Sequence, residues 1–503
     1  MKYIGALDQG TTSTRFIIFD ERNNIISTSQ MEHRQIYPRP GWVEHNPEEI
    51  WNNTCLVIES ALEKAGLRGD ELSGVGITNQ RETVIAFDKT TGKPYHNAIV
   101  WQDLRGADFI DNKLRKSVSE DWIRKKTGLL FSPYFSGSKI RWLLDNVPAV
   151  KRAEEKGSLL FGTIDTYMTY KLTGGKAMVT DVTNASRYML MNIEEEKWDK
   201  ELLEIFGVKE SSLPEIVSSS GVIYGYTDPD GPFGASIPVC GILGDQQAAL
   251  FGQACFDKGN SKCTYGTGCF MLLNIGEDVC YSSHGLITTI GYRIQGEKTV
   301  YALEGSVAVA GSLVQWVRDN LKMVTSAKEL DELAMSVQDC GGVYIVPAFA
   351  GLFAPYWRSD ARGVIAGLTG YASREHICRA VLEATAFQAY DIASAMESDS
   401  SVEIESLKVD GGMTNSWPLM AFQSDILSKP VIRPVIVETT ALGAAYAAGL
   451  TVGVWKDKEE LRSYWKEQTR WTPTMDDKER QKKVGFWKKA VSRTLDWVVA
   501  EGE

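Results

Sequence analysis

Residues 3–20 read Tyr-Ile-Gly-Ala-Leu-Asp-Gln-Gly-Thr-Thr-Ser-Thr-Arg-Phe-Ile-Ile-Phe-Asp, and their pattern is the first indication of the fold class. Tyr3–Leu7 and Thr14–Asp20 are rich in aromatic and β-branched side chains, which predicts two short strands. Asp8–Ser13 lies between them and combines an acid, a glycine and three hydroxyl residues, so it predicts a turn. Ile25–Gln30 predicts a third strand that completes an antiparallel meander.

Strand and helix signals alternate after this meander. Asn46-Pro-Glu-Glu49 offers an N-cap, a first-turn proline and two acids, which predicts a helix that ends at Gly66. Gly74–Thr78 and Thr83–Phe87 predict two further strands. A meander followed by βαβ units is typical of an α/β fold with a mixed sheet.

Similar signals return near the middle of the chain. Ile237–Leu243 is an apolar run that ends in Gly244-Asp-Gln-Gln247, and a helical segment, Ala248–Gln253, follows it. Lys262–Asn274 is an extended stretch broken by Tyr265-Gly-Thr-Gly268. An acid after an apolar strand and a glycine-threonine turn therefore occur in both halves, which indicates an internal duplication. We predict a boundary near residue 254 and a cleft between the halves.

Composition limits the class of protein. The chain has 503 residues, 43% hydrophobic and 24% charged, which is typical of a soluble multidomain protein. The formal charge of −11 disfavours nucleic-acid binding, because there is no basic excess to displace counterions from phosphates. The eight cysteines form no CxxC pair, which favours reduced thiols. No apolar run is long enough for a signal peptide or a membrane span, so we expect a cytoplasmic protein.

Three glycine-rich turns that follow apolar strands predict a nucleotide site. They are Asp8–Arg15, Thr264–Gly268 and Asp410–Asn415. Glycine lets the backbone approach a ligand, N–H groups and hydroxyls hold anions, and Arg15 adds a charged donor. Two phosphate turns and a nucleoside turn suit an ATPase built from two facing halves, whereas no P-loop or dinucleotide signature occurs. A hydroxyl-rich hairpin turn with a hydrogen-bonded aspartate is the alternative for the first turn.

Charged residues at two strand ends predict substrate chemistry. Arg81 and Glu82 offer a guanidinium donor and a carboxylate acceptor, which suits a polyol clamp; a surface ion pair is the alternative. Asp245 ends an apolar strand beside Gln246 and is a candidate general base for a hydroxyl; a helix N-cap is the alternative. The five histidines lack metal-site spacing, so they predict structural or exposed roles.

Many motifs in one order reveal a resemblance to a known family. Besides the turns above they are Pro40-Gly-Trp-Val-Glu-His45, Gly76-Ile-Thr-Asn-Gln-Arg-Glu-Thr83, Asn97-Ala-Ile-Val-Trp101, Thr180-Asp-Val-Thr-Asn-Ala-Ser-Arg187, Gly244-Asp-Gln-Gln-Ala-Ala-Leu-Phe-Gly252, Tyr301-Ala-Leu-Glu-Gly305, Ala354-Pro-Tyr-Trp357 and Glu438-Thr-Thr-Ala-Leu-Gly-Ala-Ala445. Over nearly its full length the chain resembles the glycerol kinases, carbohydrate kinases that share the actin and heat-shock-chaperone ATPase fold. The resemblance implies two ribonuclease-H-like (actin-like ATPase) domains with mixed sheets facing a central cleft. It assigns glycerol and phosphate binding to residues 1–253 and nucleotide binding to residues 254–503.

The resemblance also implies an activity and a set of site residues. ATP would phosphorylate glycerol to sn-glycerol 3-phosphate, with Asp245 as general base and with Asp8 holding Mg²⁺ through water. The residues implied to hold glycerol are Arg81, Glu82, Trp101, Tyr134, Asp245, Gln246 and Phe270. Those implied to bind the nucleotide are Thr11, Thr12, Ser13, Arg15, Thr267, Gly311, Gln315, Gly411 and Asn415. Relatives form dimers and tetramers, so a homo-oligomer such as a homodimer is expected.

Two other functions remain as alternatives. A kinase of the same family that acts on a pentulose or a larger polyol is disfavoured, because the Arg81–Glu82 pair and the Trp101 and Phe270 wall match the three-carbon specialists. A non-enzymatic member that keeps the fold for interactions is disfavoured because Asp8 and Asp245 are both present.

Overall fold

Two large mixed sheets dominate the computed structural model, which describes residues 1–498. The last five residues of the second predicted half, 499–503, therefore lie outside the described residues. Within residues 1–498, none of the helices combines the length and the apolar character that a membrane span needs.

The first large sheet has six strands, in the spatial order Gly225–Tyr226, Pro238–Gly244, Leu72–Asn79, Tyr3–Gln9, Ser13–Asp20 and Ile25–Glu32. Tyr3–Gln9 pairs antiparallel with the strand that follows it and parallel with Leu72–Asn79. Leu72–Asn79 is also parallel to Pro238–Gly244. The register sets Gln9 and Gly244 opposite Asn79, so the carboxyl ends of these three strands meet at one edge.

The second large sheet has seven strands, in the order Ile287–Tyr292, Val300–Val307, Cys269–Gly276, Asn260–Tyr265, Ser406–Asp410, Val431–Pro434 and Glu467–Trp471. Asn260–Tyr265 is antiparallel to Cys269–Gly276 and parallel to Ser406–Asp410. Thr264 lies opposite Asp410, so the second and third glycine-rich turns leave the sheet side by side.

Two parallel strands follow three antiparallel ones in the first sheet and four antiparallel ones in the second, which confirms a mixed α/β fold built from two similar halves. The prediction that the repeat includes the Ile237–Leu243 run is wrong. Pro238–Gly244 belongs to the first sheet, and its counterpart in the second sheet is Val431–Pro434. The repeat signals are local, whereas strand pairing is decided by contacts between residues far apart in sequence.

Smaller sheets flank the large ones. A four-stranded sheet has the order Glu44–His45, Ala98–Ile99, Val84–Asp88 and Leu159–Thr163. The two-stranded sheets pair Met191–Asn192 with Lys197–Trp198, Val179–Asp181 with Glu215–Val217, and Tyr344–Val346 with Val364–Ala366. The strand predicted at Thr83–Phe87 is observed at Val84–Asp88. It belongs to the four-stranded sheet and not to the large one.

The first predicted helix is confirmed together with both of its caps. It spans Pro47–Ala65, the Asn46 side chain accepts a hydrogen bond from the backbone N–H of Glu48 at 2.9 Å, and Gly66 ends it at φ 66°. The other α-helices are Ala107–Phe109, Arg115–Ser117, Glu120–Thr127, Ser136–Asn146, Pro148–Lys156, Ile164–Leu172, Val182–Ala185, Lys200–Phe206, Asp245–Gly252, Gly311–Asp319, Ala327–Met335, Arg374–Ser400, Trp417–Leu427, Thr439–Thr451, Lys458–Tyr464 and Asp477–Ser492. Ile110–Leu114 is a π-helical turn, and Gly69–Glu71, Glu210–Ser212 and Gly412–Asn415 are 3₁₀ turns.

The halves are joined by two helices in close contact. Thr439–Thr451 packs on Asp245–Gly252 and on the central strands of the first sheet. A Cβ at Gly443 would lie 1.8 Å from the Ala248 carbonyl oxygen, and one at Gly76 would lie 2.0 Å from that of Ala444. Only glycine permits these approaches, so Gly76 and Gly443 allow helix Thr439–Thr451 to pack closely against the first half near Asp245.

The C-terminal segment differs from its prediction in one element. The sequence predicts surface helices there, and Lys458–Tyr464 and Asp477–Ser492 are helices. Glu467–Trp471, however, is a strand that pairs antiparallel with Val431–Pro434. An unpaired sheet edge offers hydrogen bonds to any extended segment beside it, and this tertiary term overrides the local helical signal.

Candidate active site

Turns from the two large sheets converge between the halves. Arg81 follows Leu72–Asn79, and its Nε lies 3.1 Å from Oδ1 of Asp245. The indole N–H of Trp101 donates a 3.0 Å hydrogen bond to the Thr11 hydroxyl. Arg81 also pairs with Glu304, which lies on the second sheet. The first phosphate turn and the predicted polyol clamp therefore share one site with a residue of the opposite half.

Arg81 is a buried guanidinium held by several acceptors. Its Nη1 and Nη2 donate to the two carboxylate oxygens of Glu304 at 2.5 and 3.0 Å, and Nη1 also lies 3.3 Å from the Gln247 amide oxygen. Burial alone would raise the pKa of Glu304, but the guanidiniums of Arg187 and Arg81 lower it to about 2. The pair is therefore ionised throughout the physiological pH range.

Glu82 completes a buried network of two acids and two guanidiniums. Its Oε1 accepts a 2.5 Å hydrogen bond from Nε of Arg187, whose Nη2 donates to Glu304 at 3.2 Å. Burial raises the pKa of Glu82, and the guanidiniums of Arg187 and Arg81 oppose that rise. Arg81 and Glu82 are 3% and 1% exposed, so they do not form a surface ion pair.

Glu82 also has an unusual backbone conformation. Its φ is 58°, which a non-glycine residue adopts only at some energetic cost. The Ser136 hydroxyl donates to the Glu82 carbonyl at 3.2 Å. Strain of this kind is common at functional sites, where the surrounding structure enforces it.

Asp245 is the first residue of helix Asp245–Gly252, and Gly244 occupies the N-cap position. Its Oδ1 accepts a 2.7 Å hydrogen bond from the backbone N–H of Gln246 and faces Arg81. Among residues 1–498, Oδ2 of Asp245 accepts no hydrogen bond. One carboxylate oxygen is thus fixed by the protein, and the other is available to a ligand.

Aromatic rings form part of the predicted apolar wall. Trp101 and Tyr134 meet edge to face, with ring centroids 5.6 Å apart. Tyr134 also lies beside the Arg187 guanidinium, 5.6 Å from ring centroid to Cζ, and burial raises the pKa of its phenol. Phe270 lies on the second sheet, opposite Thr264 and Ser306 on the neighbouring strands, and is half-buried.

The first phosphate turn is closed by a 2.9 Å hydrogen bond from the Gly10 N–H to the Ser13 carbonyl. The Ser13 hydroxyl accepts from Gln30 at 2.8 Å, and Thr12 is exposed. Arg15 pairs with Glu438, which precedes the helix that joins the halves. The turn therefore places the hydroxyls of Thr11, Thr12 and Ser13 close to its own backbone and to the Arg15 guanidinium.

Asp8 has an unusual protonation equilibrium. Burial raises its pKa from 3.8 to about 7, Arg15 lowers it, and the carboxylates of Asp245 and Glu438 raise it. Three acids thus lie near one another, with the guanidiniums of Arg15 and Arg81 beside them. Among residues 1–498, however, no three acid, His or Cys side chains are arranged as a complete metal site.

The second turn contacts the start of helix Gly311–Asp319 closely. The N–H groups of Ala310 and Gly311 donate to the carbonyls of Thr267 and Gly266 at 3.0 and 3.1 Å. A Cβ at Gly311 would lie 2.6 Å from that Gly266 oxygen, so the start of helix Gly311–Asp319 needs glycine. Gln315 is exposed on the same helix.

Gly411 brings the third turn against the second. Its φ is 90°, and a Cβ there would lie 2.3 Å from the Tyr265 carbonyl oxygen. Asn415 is exposed, and its side-chain amide donates to the Gly412 carbonyl at 3.0 Å. The predicted nucleotide residues of the second half therefore line adjacent turns.

Three residues to which the quoted motifs assign no role belong to this site: Arg187, Glu304 and Lys262. Each is a buried charge, and Glu304 and Lys262 lie within otherwise largely uncharged strands of the second sheet. A charged residue at the centre of such a strand is the signal that could have marked both, because burial of a charge requires a partner. Nothing local distinguishes Arg187.

Comparison with known proteins defines the class. The N-terminal domain of the FGGY family of carbohydrate kinases matches residues 3–252, and the C-terminal domain of that family matches residues 261–452. The chain belongs to the FGGY family of carbohydrate kinases, and it is an enzyme that transfers phosphate.

Particular relatives are similar over the whole chain. It is 56% identical over 500 residues to a glycerol kinase of Clavibacter michiganensis subsp. michiganensis, covering 99% of this chain and 98% of that protein. A crystal structure of Plasmodium falciparum glycerol kinase with ADP superposes with a TM-score of 0.93 at 42% identity, covering 98% of each chain. A ligand-bound xylulose kinase from Lactobacillus acidophilus has a TM-score of 0.86 at 21% identity and covers 98% of this chain and 97% of its own, which shows the shared fold alone.

Proposed function

We propose that this kinase transfers the γ-phosphate of ATP to glycerol and releases sn-glycerol 3-phosphate and ADP. The observation that carries this proposal is the buried clamp of Arg81 and Glu82 beside Trp101 and Asp245. Relatives named glycerol kinase at 56% identity over almost the full chain support the same substrate.

The clamp presents both a donor and an acceptor to a polyol. Glu304 and Gln247 occupy both N–H groups of Arg81 Nη1 and one of Nη2. Arg187 occupies Oε1 of Glu82, and Oε2 accepts no hydrogen bond within residues 1–498. Because Nε of Arg81 faces Asp245, one N–H of Nη2 and Oε2 of Glu82 are left for a ligand, which suits neighbouring hydroxyl groups, each of which both donates and accepts.

Asp245 is the general base in this proposal. Its Oδ2 accepts the proton of the attacking hydroxyl, while Oδ1 stays fixed by the Gln246 N–H. Phosphoryl transfer through a loose transition state needs positioning and charge neutralisation more than covalent help. Closure of the two halves over both substrates would exclude water, which would otherwise hydrolyse ATP.

The nucleotide would lie across both halves. Thr11, Thr12, Ser13 and Arg15 would face the phosphates from residues 1–253. Residues 254–503 would line the nucleotide through Thr267, Gly311, Gln315, Gly411 and Asn415. The backbone N–H groups and hydroxyls of the two phosphate turns are the donors that such an anion needs. The homo-oligomeric state and the cytoplasmic location remain predictions.

Magnesium fits the chemistry of the site. Mg²⁺ in kinases keeps several waters and is bound by one or two carboxylates together with substrate phosphates, so no complete protein cage is required. The carboxylates of Asp245 and Glu438 raise the pKa of Asp8, and a cation beside Asp8 would oppose that rise. Asp8 would hold the ion through water, and the ion would neutralise charge on the phosphates.

A coupled ADP-release assay tests the function. Glycerol, xylulose and ribulose are offered at equal concentrations with Mg·ATP, and the purified Asp245→Asn variant is the control for contaminating ATPases. We expect rapid ADP release with glycerol and only background release with the pentuloses. Preferential turnover of a pentulose would assign the chain to another sugar kinase of the family.

A further inference from the structure

Lys262 is a fully buried lysine that reaches from the second half into the site of the first. It lies on strand Asn260–Tyr265, and its Nζ donates to the side-chain oxygen of Gln246 and, at 3.0 Å, to the Thr264 hydroxyl. Gln246 belongs to helix Asp245–Gly252, and Thr264 precedes the second glycine-rich turn. Lys262 thus connects the predicted polyol site with a phosphate turn.

The charge of Lys262 is supported by acids on several elements. Burial lowers the pKa of its ammonium, and the carboxylates of Asp410, Asp245 and Glu304 oppose that shift. Asp410 and Glu304 lie on two strands of the second sheet, and Asp245 begins the helix that carries Gln246. Within residues 1–498 no carboxylate forms an ion pair with Nζ, so these acids act at longer range, and the side chains of Gln246 and Thr264 supply its direct contacts.

An ammonium group fixes the orientation of an amide beside it. It has only donors, so Gln246 must direct its oxygen, and not its NH₂ group, towards Lys262. The Gln246 NH₂ group forms no hydrogen bond within residues 1–498, and the residue is 8% exposed. The amide therefore presents only N–H donors to whatever binds beside Asp245.

We propose that Lys262 is a positioning residue that makes Gln246 an obligate hydrogen-bond donor to a substrate hydroxyl oxygen. This inference rests on the proposed function, because it deepens the assignment of Gln246 to the polyol site. Lys262 touches no substrate atom in this arrangement. It selects for a hydroxyl whose oxygen accepts from Gln246 while its proton is directed to Asp245.

A double-mutant cycle tests whether Lys262 acts through Gln246. Lys262→Met, Gln246→Ala and the double variant are compared by their KM values for glycerol and ATP in the full-length protein. We expect Lys262→Met to raise the glycerol KM about tenfold in the wild-type background, the effect of one orienting hydrogen bond. In the Gln246→Ala background the same change should alter it by less than about twofold, since the group through which it acts is gone.

Lys408→Met is the matched control. Lys408 lies opposite Lys262 on the neighbouring strand and donates to the backbone carbonyls of Gln253 and Ala254, away from Gln246. It should leave the glycerol KM within about twofold in both backgrounds, as expected for independent sites. Equal tenfold effects of Lys262→Met in both backgrounds, or the same pattern for Lys408→Met, would overturn the proposal.

Gln246→Glu covers the case in which Lys262→Met does not fold. The new carboxylate pairs with the Lys262 ammonium, so the protein should fold, but no donor remains for the substrate. The glycerol KM should then rise at least about tenfold, and an unchanged value would refute the donor assignment. If the wild-type protein phosphorylates a pentulose and not glycerol, the proposed function fails separately, and the cycle is then measured with that pentulose.

Discussion

Asp8→Asn should stabilise the protein at alkaline pH while it abolishes turnover. The carboxyl of Asp8 titrates near 7 in the folded chain and near 3.8 when exposed, chiefly because it is buried. The folded state therefore binds this proton more tightly than the unfolded state. The contribution of Asp8 to the free energy of unfolding is then fully present below about pH 4 and is lost as pH rises through 7.

The size of the effect follows from the shift. Each pKa unit corresponds to about 1.4 kcal/mol, so a shift of about three units costs about 4 kcal/mol above pH 8. Part of the Asp8 side chain still contacts solvent, and screening reduces this to about 2 kcal/mol. Asparagine keeps the shape of the side chain and cannot ionise, so the variant should recover that free energy at pH 8 and gain nothing at pH 4.

Thermal unfolding without magnesium or nucleotide, at pH 4.5 and at pH 8, measures this difference. We expect the Tm of Asp8→Asn to exceed that of the wild type by a few degrees at pH 8 and to approach it at pH 4.5. Asp121→Asn is the control, because Lys125 and Arg124 lower the pKa of that exposed carboxyl and its loss should give no alkaline gain. A Tm difference that is absent, or independent of pH, would contradict the raised pKa of the Asp8 carboxyl.

Three further variants test the clamp and the base. Asp245→Asn should lower kcat by about 10²–10⁴ with little change in the glycerol KM, as expected for loss of a general base, and near wild-type turnover in a steady-state assay would remove Asp245 from the mechanism. Arg81→Ala should raise the KM for glycerol far more than that for ATP, by a loss of roughly 1.5–3 kcal/mol, whereas a change confined to ATP would show that the clamp is misplaced. Glu304→Gln leaves the buried guanidiniums of Arg81 and Arg187 without their shared carboxylate. Denaturant unfolding should therefore show a free energy of unfolding lower by about 3–5 kcal/mol, and an unchanged midpoint would argue against the ion network.

Local signals account for what the sequence predicts correctly. The helix that ends at Gly66 is bounded by an N-cap with a partner two residues away and by a glycine at positive φ, and both are decided within one turn. The meander that starts at Tyr3 is likewise defined by a short turn between alternating segments. These elements need no information from the rest of the chain.

Long-range pairing accounts for what the sequence does not predict. Glu467–Trp471 is a strand because Val431–Pro434 offers it a free edge, and no property of the segment alone reveals that edge. The partners of Arg81 are separated from it by more than 150 residues, so Glu304 could be suspected only as an unexplained charge in a largely apolar strand. The resemblance supplied the list of site residues, and the structure supplied the partners that orient them.

Glycerol is expected to bind between the Arg81–Glu82 clamp and Asp245, in line with the ATP phosphates. A crystal structure of the protein with glycerol, magnesium and a non-hydrolysable ATP analogue tests it most directly. We expect one glycerol hydroxyl within hydrogen-bond distance of Asp245 Oδ2 and the others in contact with Arg81 and Glu82. The γ-phosphate should lie between Asp245 and the Gly10–Ser13 turn. Glycerol bound away from Asp245, or a γ-phosphate bound away from that turn, would contradict it.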